Sequence, residues 1–167
     1  MRHEINLIET FATLEKNRIR NSVILLDIDG TITHHDGHEV PDEARCVIEE
    51  LLRKNNLIYL LSNNKNIERG RFLARALGVT FAETPYRKPD KRTASCIPTK
   101  YADRKIFVIG DKFLTDGLFA IRLGATFFWV RSIKTPTDAK KVRASYAIDT
   151  IIRWFFSISY TMRRIEK

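Results

Sequence analysis

The stretch Ser22-Val23-Ile24-Leu25-Leu26-Asp27-Ile28-Asp29-Gly30-Thr31 decides the fold. A short unbroken apolar run ends in two acids one residue apart, which predicts a buried strand whose carboxyl end carries the acids. Two carboxylates at such a place are costly unless a cation or a substrate proton uses them. Gly30 lets the chain turn sharply, and Thr31 supplies a hydroxyl. A turn carrying surface acids is the bland alternative, and the apolar run before it argues against that.

Working outward, Pro41 opens a helix to about Lys54, with Ala44, Val47, Ile48, Leu51 and Leu52 at helical spacing. A second apolar run, Leu57–Leu61, ends at Ser62-Asn63-Asn64. Lys65–Leu77 reads as a helix stopped by Gly78, and Val79–Phe81 as a short strand. A helix is expected from near Asp90, shortened by Pro98. Ile106–Ile109 is a third strand, ending at Gly110-Asp111, Thr115–Leu123 a helix and Ala125–Val130 another strand. Strands alternating with helices at these intervals predict an α/β fold, a doubly wound and mainly parallel sheet. Ligands in such sheets bind outside the carboxyl ends of the strands. Asp27 and Asp29, Ser62, and Asp111 follow three different strands there.

The 167 residues predict one domain, large enough to bury about 70% of its surface without disulfides or structural metal. Its expected parts are a core over about 22–130, an amino-terminal helix over about 4–19 and a basic amphipathic helix over about 146–165. Hydrophobic residues make up 44% and charged residues 29%, which excludes disordered, collagen-like and coiled-coil classes. Cys46 and Cys96 are far apart, which excludes a cysteine-rich zinc site and a disulfide scaffold. Both read as structural, Cys46 packed in the core on the apolar side of its helix. No secretory signal is visible, and Ile151–Met162, interrupted by Arg153, is too short to cross a bilayer. The expectation is a cytoplasmic protein, or a peripheral one on the inner face of a membrane. The net charge of +9 is uneven: residues 65–105 carry +7, residues 131–167 carry +6, and residues 21–64 carry −5. That distribution favours an anionic partner without choosing among lipid, nucleic acid and phosphorylated metabolite.

The polar residues at the strand ends make one chemical set. One acid of the Asp27/Asp29 pair can attack phosphorus, and the other can protonate the leaving oxygen. Ser62 can hydrogen-bond a phosphoryl oxygen and Lys88, stiffened by Pro89, can neutralise it. Asp111 can bind Mg²⁺ together with Asp27, since Mg²⁺ keeps several waters and needs few protein carboxylates. Asp116 can orient Lys88 or a metal-bound water.

DIDGT at 27–31, LLSNN at 60–64, RKP at 87–89 and GDKFLTD at 110–116 resemble the haloacid dehalogenase superfamily of phosphohydrolases. The resemblance implies a three-layer, Rossmann-like core. It makes Asp27 the nucleophile and Asp29 the general acid and base, with Thr31, Ser62, Asn63 and Lys88 binding the phosphoryl group. Mg²⁺ would be held by Asp27, the backbone carbonyl of Asp29, and Asp111, with Asp116 supporting. An acid at Asp29 looks like a phosphatase rather than a transport ATPase or a dehalogenase. About thirty residues separate Thr31 from Ser62 and 25 separate Ser62 from Lys88, too few in either gap for a cap domain. An open site suits a substrate whose bulk stays outside, such as a lipid or polymer; a small metabolite under a lid from a second subunit is the other option.

A narrower resemblance rests on Ser62-Asn63-Asn64-Lys65, Arg69, Phe72, the KP pair, and GDKFLTD followed by Arg122-Leu123-Gly124. These are similar to the capless phosphatidylglycerophosphate phosphatases, the bacterial YqeG-type proteins and their mitochondrial counterpart. It implies removal of the terminal phosphate from phosphatidylglycerophosphate, an anionic membrane lipid, to give phosphatidylglycerol, on the matrix side if the protein is mitochondrial. A nucleic-acid 3′-phosphate or a soluble sugar phosphate is the alternative substrate, although no interleaved basic and aromatic motif supports specific nucleic-acid binding. A phospho-acceptor signalling module is a further alternative, against which Asp29 argues.

In the tail, Ile148, Ile151, Ile152, Phe155, Ile158, Met162 and Ile165 recur at helical spacing, with Trp154, Phe156 and Tyr160 adding bulk. Such a helix can lie in an anionic membrane interface, or pack on the sheet or a second copy; the spacing does not choose. His34, His35 and His38 read as an exposed loop, with a headgroup contact or an adventitious metal site as alternatives.

Overall fold

The computed structural model describes residues 4–165, with side chains described through Ser157. Six strands form one sheet in which every pairing is parallel: β1 (Ile5–Leu7), β2 (Val23–Asp27), β3 (Leu57–Leu61), β4 (Thr80–Phe81), β5 (Ile106–Gly110) and β6 (Thr126–Trp129). Their order is β1-β6-β5-β2-β3-β4. From β2 the chain winds outward through β3 and β4, then returns to place β5 on the other side of β2. The order therefore reverses between β2 and β5, and Asp27 and Gly110 end those two strands. The doubly wound α/β architecture expected from the sequence is present.

Both faces of the sheet are covered, which is why β2 is apolar without alternation. Ile24 and Leu26 face a core layer with Val47, Ile48 and Leu51 of α1 (Asp42–Arg53) and Leu73 and Leu77 of α2 (Ile67–Leu77). Val23 and Leu25 face the opposite layer, with Phe119 and Ala120 of α3 (Leu118–Leu123) and Trp129. Ile152 and Phe156 of α4 (Lys140–Ile165) pack against that second layer. Asp42 and Glu43 follow Pro41 in the first turn of α1, where acids favour the helix dipole. The Asn66 carboxamide caps α2 by accepting from the Arg69 N–H at 3.0 Å, so that helix starts later than Lys65.

Several sequence expectations are corrected. The amino-terminal segment is not a helix: Ile5–Leu7 pairs with β6, and 3-10 turns follow at Phe11–Thr13 and Lys16–Arg18. Pairing with the otherwise open edge of β6 decides this, and three residues carry no period to announce it. The helix expected near Asp90 is two 3-10 turns, Lys91–Cys96 and Thr99–Tyr101, separated by Pro98. The helix expected over Thr115–Leu123 begins at Leu118, after a wide π-type turn at Phe113–Gly117. Cys46 is exposed, since Ala44, Val47, Ile48 and Leu51 form the buried side of α1. The tail helix starts at Lys140, ahead of its expected start; the side chains of Ile158, Tyr160, Met162 and Ile165 lie outside the described ones. Among the described residues no helix is long and apolar enough to cross a membrane.

Candidate active site

β2 and β5 bring Asp27 and Asp111 together at the reversal of strand order. Asp27, Asp111 and Asp116 each offer a carboxylate oxygen within 4.8 Å of the others, and all three are buried. Two close backbone approaches make this possible. A Cβ on Gly30, whose φ is +85°, would stand 2.3 Å from Asp111 Oδ2. One on Gly110 would meet the Asp116 carboxyl at the same distance. The wide turn after Gly110 points Asp116 inward. The Asp116 and Gly117 N–H groups both donate to the Lys112 carbonyl, and the Asp116 carboxylate accepts from the Lys112 N–H at 3.2 Å and the Thr115 hydroxyl at 3.1 Å.

Lys88 reaches this cluster from the segment after β4. Its ammonium donates to Asp27 Oδ1, pairs with Asp116 Oδ1 at 2.6 Å and lies 3.4 Å from the Leu61 carbonyl. The Lys88–Pro89 peptide is cis. Burial alone would lower the Lys88 pKa, but Asp116 and Asp27 overcome it and hold the ammonium above its ordinary value. Burial pushes Asp27 up to about 6 against the pull of Lys88, and it pushes Asp111 up to about 8. Asp111 is 0% exposed, and neither of its carboxylate oxygens has a hydrogen-bond partner among the described residues. Two orphaned oxygens facing two more carboxylates fit a hard divalent cation such as Mg²⁺.

Asp29 points the other way. Its carboxylate takes Arg69 through both terminal nitrogens, at 3.1 and 2.9 Å, together with the Ser62 hydroxyl at 3.0 Å and the Asp36 N–H at 3.0 Å. Burial would raise its pKa; Arg69 and these donors lower it instead. Arg69 belongs to the narrower resemblance, but no local pattern marks it as the partner of Asp29. It lies 40 residues from Asp29, so only the packing of α2 beside the loop after β2 reveals the pair.

Three residues expected to bind phosphoryl oxygens are engaged elsewhere. Thr31 donates to Asp27 Oδ2 at 3.1 Å and so fixes that carboxylate. The Asn63 carboxamide clasps the Lys88 backbone, donating to its carbonyl and accepting from its N–H, both at 2.9 Å. Ser62 lines the pocket but spends its hydroxyl proton on Asp29. Each preference is satisfied within the protein because parallel pairing of β2 and β3 sets these loops side by side. Of the three histidines only His35 lines the pocket, 3.8 Å from Asp29. His34 turns to the His35 carbonyl, and His38 lies against Phe72.

The carboxyl-terminal segment also reaches the site. Asp149 of α4 accepts from the Phe113 N–H at 2.7 Å and from Trp129 Nε1 at 3.1 Å, and Trp129 Nε1 donates to the Asp111 carbonyl as well. Arg153 donates to the carbonyls of Trp129 and Ile8 at the carboxyl ends of β6 and β1. The pocket itself is polar, lined by Asp27, Asp29, Ser62, Lys88, Lys112 and Asp116 among others, and open to solvent. A larger depression of about 380 Å³ lies around β1, between Glu4 and Phe128, away from the acid cluster.

The model of the haloacid dehalogenase-like hydrolase family matches residues 24–121, the span that carries this cluster. Neither a curated protein nor a solved structure gives a significant match to the chain.

Proposed function

The chain belongs to the haloacid dehalogenase-like hydrolases, and from that premise we propose that it is a Mg²⁺-dependent phosphomonoesterase acting on phosphatidylglycerophosphate. Asp27 attacks phosphorus, the bond to the alcohol oxygen breaks, and Asp29 gives that oxygen its proton. Asp29 then takes a proton from water as the water oxygen attacks the aspartyl-phosphate, releasing phosphate and restoring Asp27. A phosphoryl dianion beside Asp29 raises its affinity for the proton needed in the first half. The ion pair with Arg69 suits the ionised form needed in the second. Lys88, fixed by Asp116 and by the clasp of Asn63, balances charge on Asp27 and on the transferring group. Mg²⁺ would be held by Asp27, Asp111 and the Asp29 carbonyl with Asp116 in support, and would neutralise charge on the reacting oxygens.

One observation supports this reading above the rest: a buried Asp27 bridged to Lys88, beside an Asp111 whose oxygens accept no hydrogen bond among the described residues. The lipid part is supported by the site's surroundings. The described intervals 32–61 and 63–87 hold only a loop, α1, α2 and short strands, which leaves the pocket uncapped. Beside it α4 turns Ile148, Ile151 and Trp154 to solvent, each about half exposed.

The test is phosphate release from phosphatidylglycerophosphate in mixed micelles with Mg²⁺, for wild type and Asp27→Asn. Release by wild type, reduced about a thousandfold or more by Asp27→Asn, is the expected result. Turnover of an aryl phosphate without release from the lipid would keep the phosphatase and discard this substrate in favour of a soluble sugar phosphate or a nucleic-acid 3′-phosphate. Full activity in Asp27→Asn would overturn the mechanism.

A further inference from the structure

Lys112 lines the same pocket as Asp27 and Lys88, and the chemistry above does not use it. The two lysines are in opposite conditions. Lys88 is sealed in, its side chain 3% exposed, with its ammonium committed to Asp27 and Asp116. The Lys112 side chain is 24% exposed, and its ammonium lies 3.7 Å from Asp111 Oδ2, beyond hydrogen-bond reach. Among the described residues that ammonium donates no hydrogen bond. It is held in place from behind, 5.3 Å from the ring centroid of Tyr146, a buried residue of α4.

An ammonium drawn partly out of water, fixed on a ring and left with three donors to fill is a receptor for an anion. The group it receives is not the transferring phosphoryl, which arrives at Asp27 beside Lys88. Lys112 stands beside Asp111 on the side of α4, part of it open to solvent, where there is room for the rest of the substrate. We propose that Lys112 forms a second anion subsite, selecting phosphomonoesters that carry another phosphate group on the leaving-group side. This rests on the phosphatase reading of the same pocket and sharpens its substrate class. A lipid headgroup with a diester and a monoester presents that chemistry, and so does a soluble molecule with two phosphates.

The test compares kcat/KM, with Mg²⁺ present, for glycerol 3-phosphate, for the soluble deacylated headgroup of phosphatidylglycerophosphate, and for the lipid in mixed micelles. Wild type should prefer the two-phosphate compounds. Lys112→Met should cut that preference about tenfold or more, chiefly through KM, and Lys112→Arg should restore most of it. An equal loss on one-phosphate and two-phosphate substrates would overturn the subsite, because Lys112 would then serve the transferring group. A loss confined to the micellar lipid would overturn it too, because a phosphate subsite must also read the soluble headgroup. Calorimetric binding of that headgroup to Asp27→Asn, with and without Lys112→Met, gives a readout independent of turnover. A Kd weakened about tenfold supports the subsite, and an unchanged Kd overturns it. Failure of the phosphatase reading itself would show separately, as unimpaired phosphate release by Asp27→Asn.

Discussion

Asp111 and Asp29 are buried carboxylates in opposite electrostatic states. With its pKa near 8, folded Asp111 keeps a proton between about pH 4 and about 8 that the unfolded chain has lost. The stability linked to that proton is complete below this window and disappears as pH rises through it; Asp27, raised to about 6, acts in the same direction. Chelator-treated protein should therefore have a lower Tm at pH 8 than at pH 5, and MgCl2 should raise Tm more at pH 8. A Tm that ignores Mg²⁺ at both values would remove Asp111 from the metal set. Asp29 is the reverse case, ionised and stabilised by Arg69, so its contribution is present above the ordinary carboxylate range and is lost as pH falls through its lowered pKa. Arg69→Met leaves that carboxylate buried without its partner and should cost about 3–5 kcal/mol in urea unfolding. Asp29→Asn added to Arg69→Met should recover part of the loss; strict additivity of the two changes would show that the pair is not coupled.

The turn from Gly110 to Gly117 is the element on which the site depends most. A regular helix from Thr115 would carry Asp116 around its axis, whereas the wide turn holds its carboxylate against Lys88 and over Gly110. Gly110→Ala would drive a methyl group into the Asp116 carboxyl, and kcat should fall far more than the affinity for substrate. The turn is braced from outside by α4, through the bond from Phe113 N–H to Asp149. Asp149→Ala leaves that donor unmatched and should destabilise the protein by about 1–3 kcal/mol in chemical denaturation. Asp149→Asn, which keeps an acceptor oxygen, should cost less. Equal losses for the two would mean that Asp149 acts through something other than this bond.

Across the whole molecule, the reversal of strand order gathers the acids at the carboxyl ends of the two central strands, and α4 lies beside them with two unlike faces. Tyr146, Asp149, Ile152 and Phe156 are turned to the protein, while Ile148, Ile151 and Trp154 are turned out. The segment that contains α4 is also strongly basic. We propose that this apolar face in a basic segment, next to the pocket, docks on an anionic membrane surface. Ile151→Glu with Trp154→Glu should reduce co-sedimentation with phosphatidylglycerol-rich vesicles about tenfold or more and leave Tm nearly unchanged, since both side chains are exposed. Undiminished vesicle binding would assign that face to another partner.

Apolar runs and their spacing were enough to determine β2, β3 and β5, the helices α1 and α2, and the placing of acids at strand ends. Burial leaves a local, periodic trace in a sequence, and a chain this size must cover both faces of a parallel sheet. Asp27 and Asp111 were legible for the same reason, one ending β2 and the other following β5, whereas the wide turn at Phe113–Gly117 decides where Asp116 points. Tertiary structure alone decided what each polar group holds. The hydroxyls of Thr31 and Ser62 and the carboxamide of Asn63 carry no sign in the sequence of which neighbour will satisfy them. Arg69 and Asp149 meet their partners across 40 and 36 residues. Ile5–Leu7 becomes a strand only because β6 offers an unpaired edge. Hydrogen bonding is short-ranged and directional, so it is settled after packing has brought the loops together, and no local pattern records it.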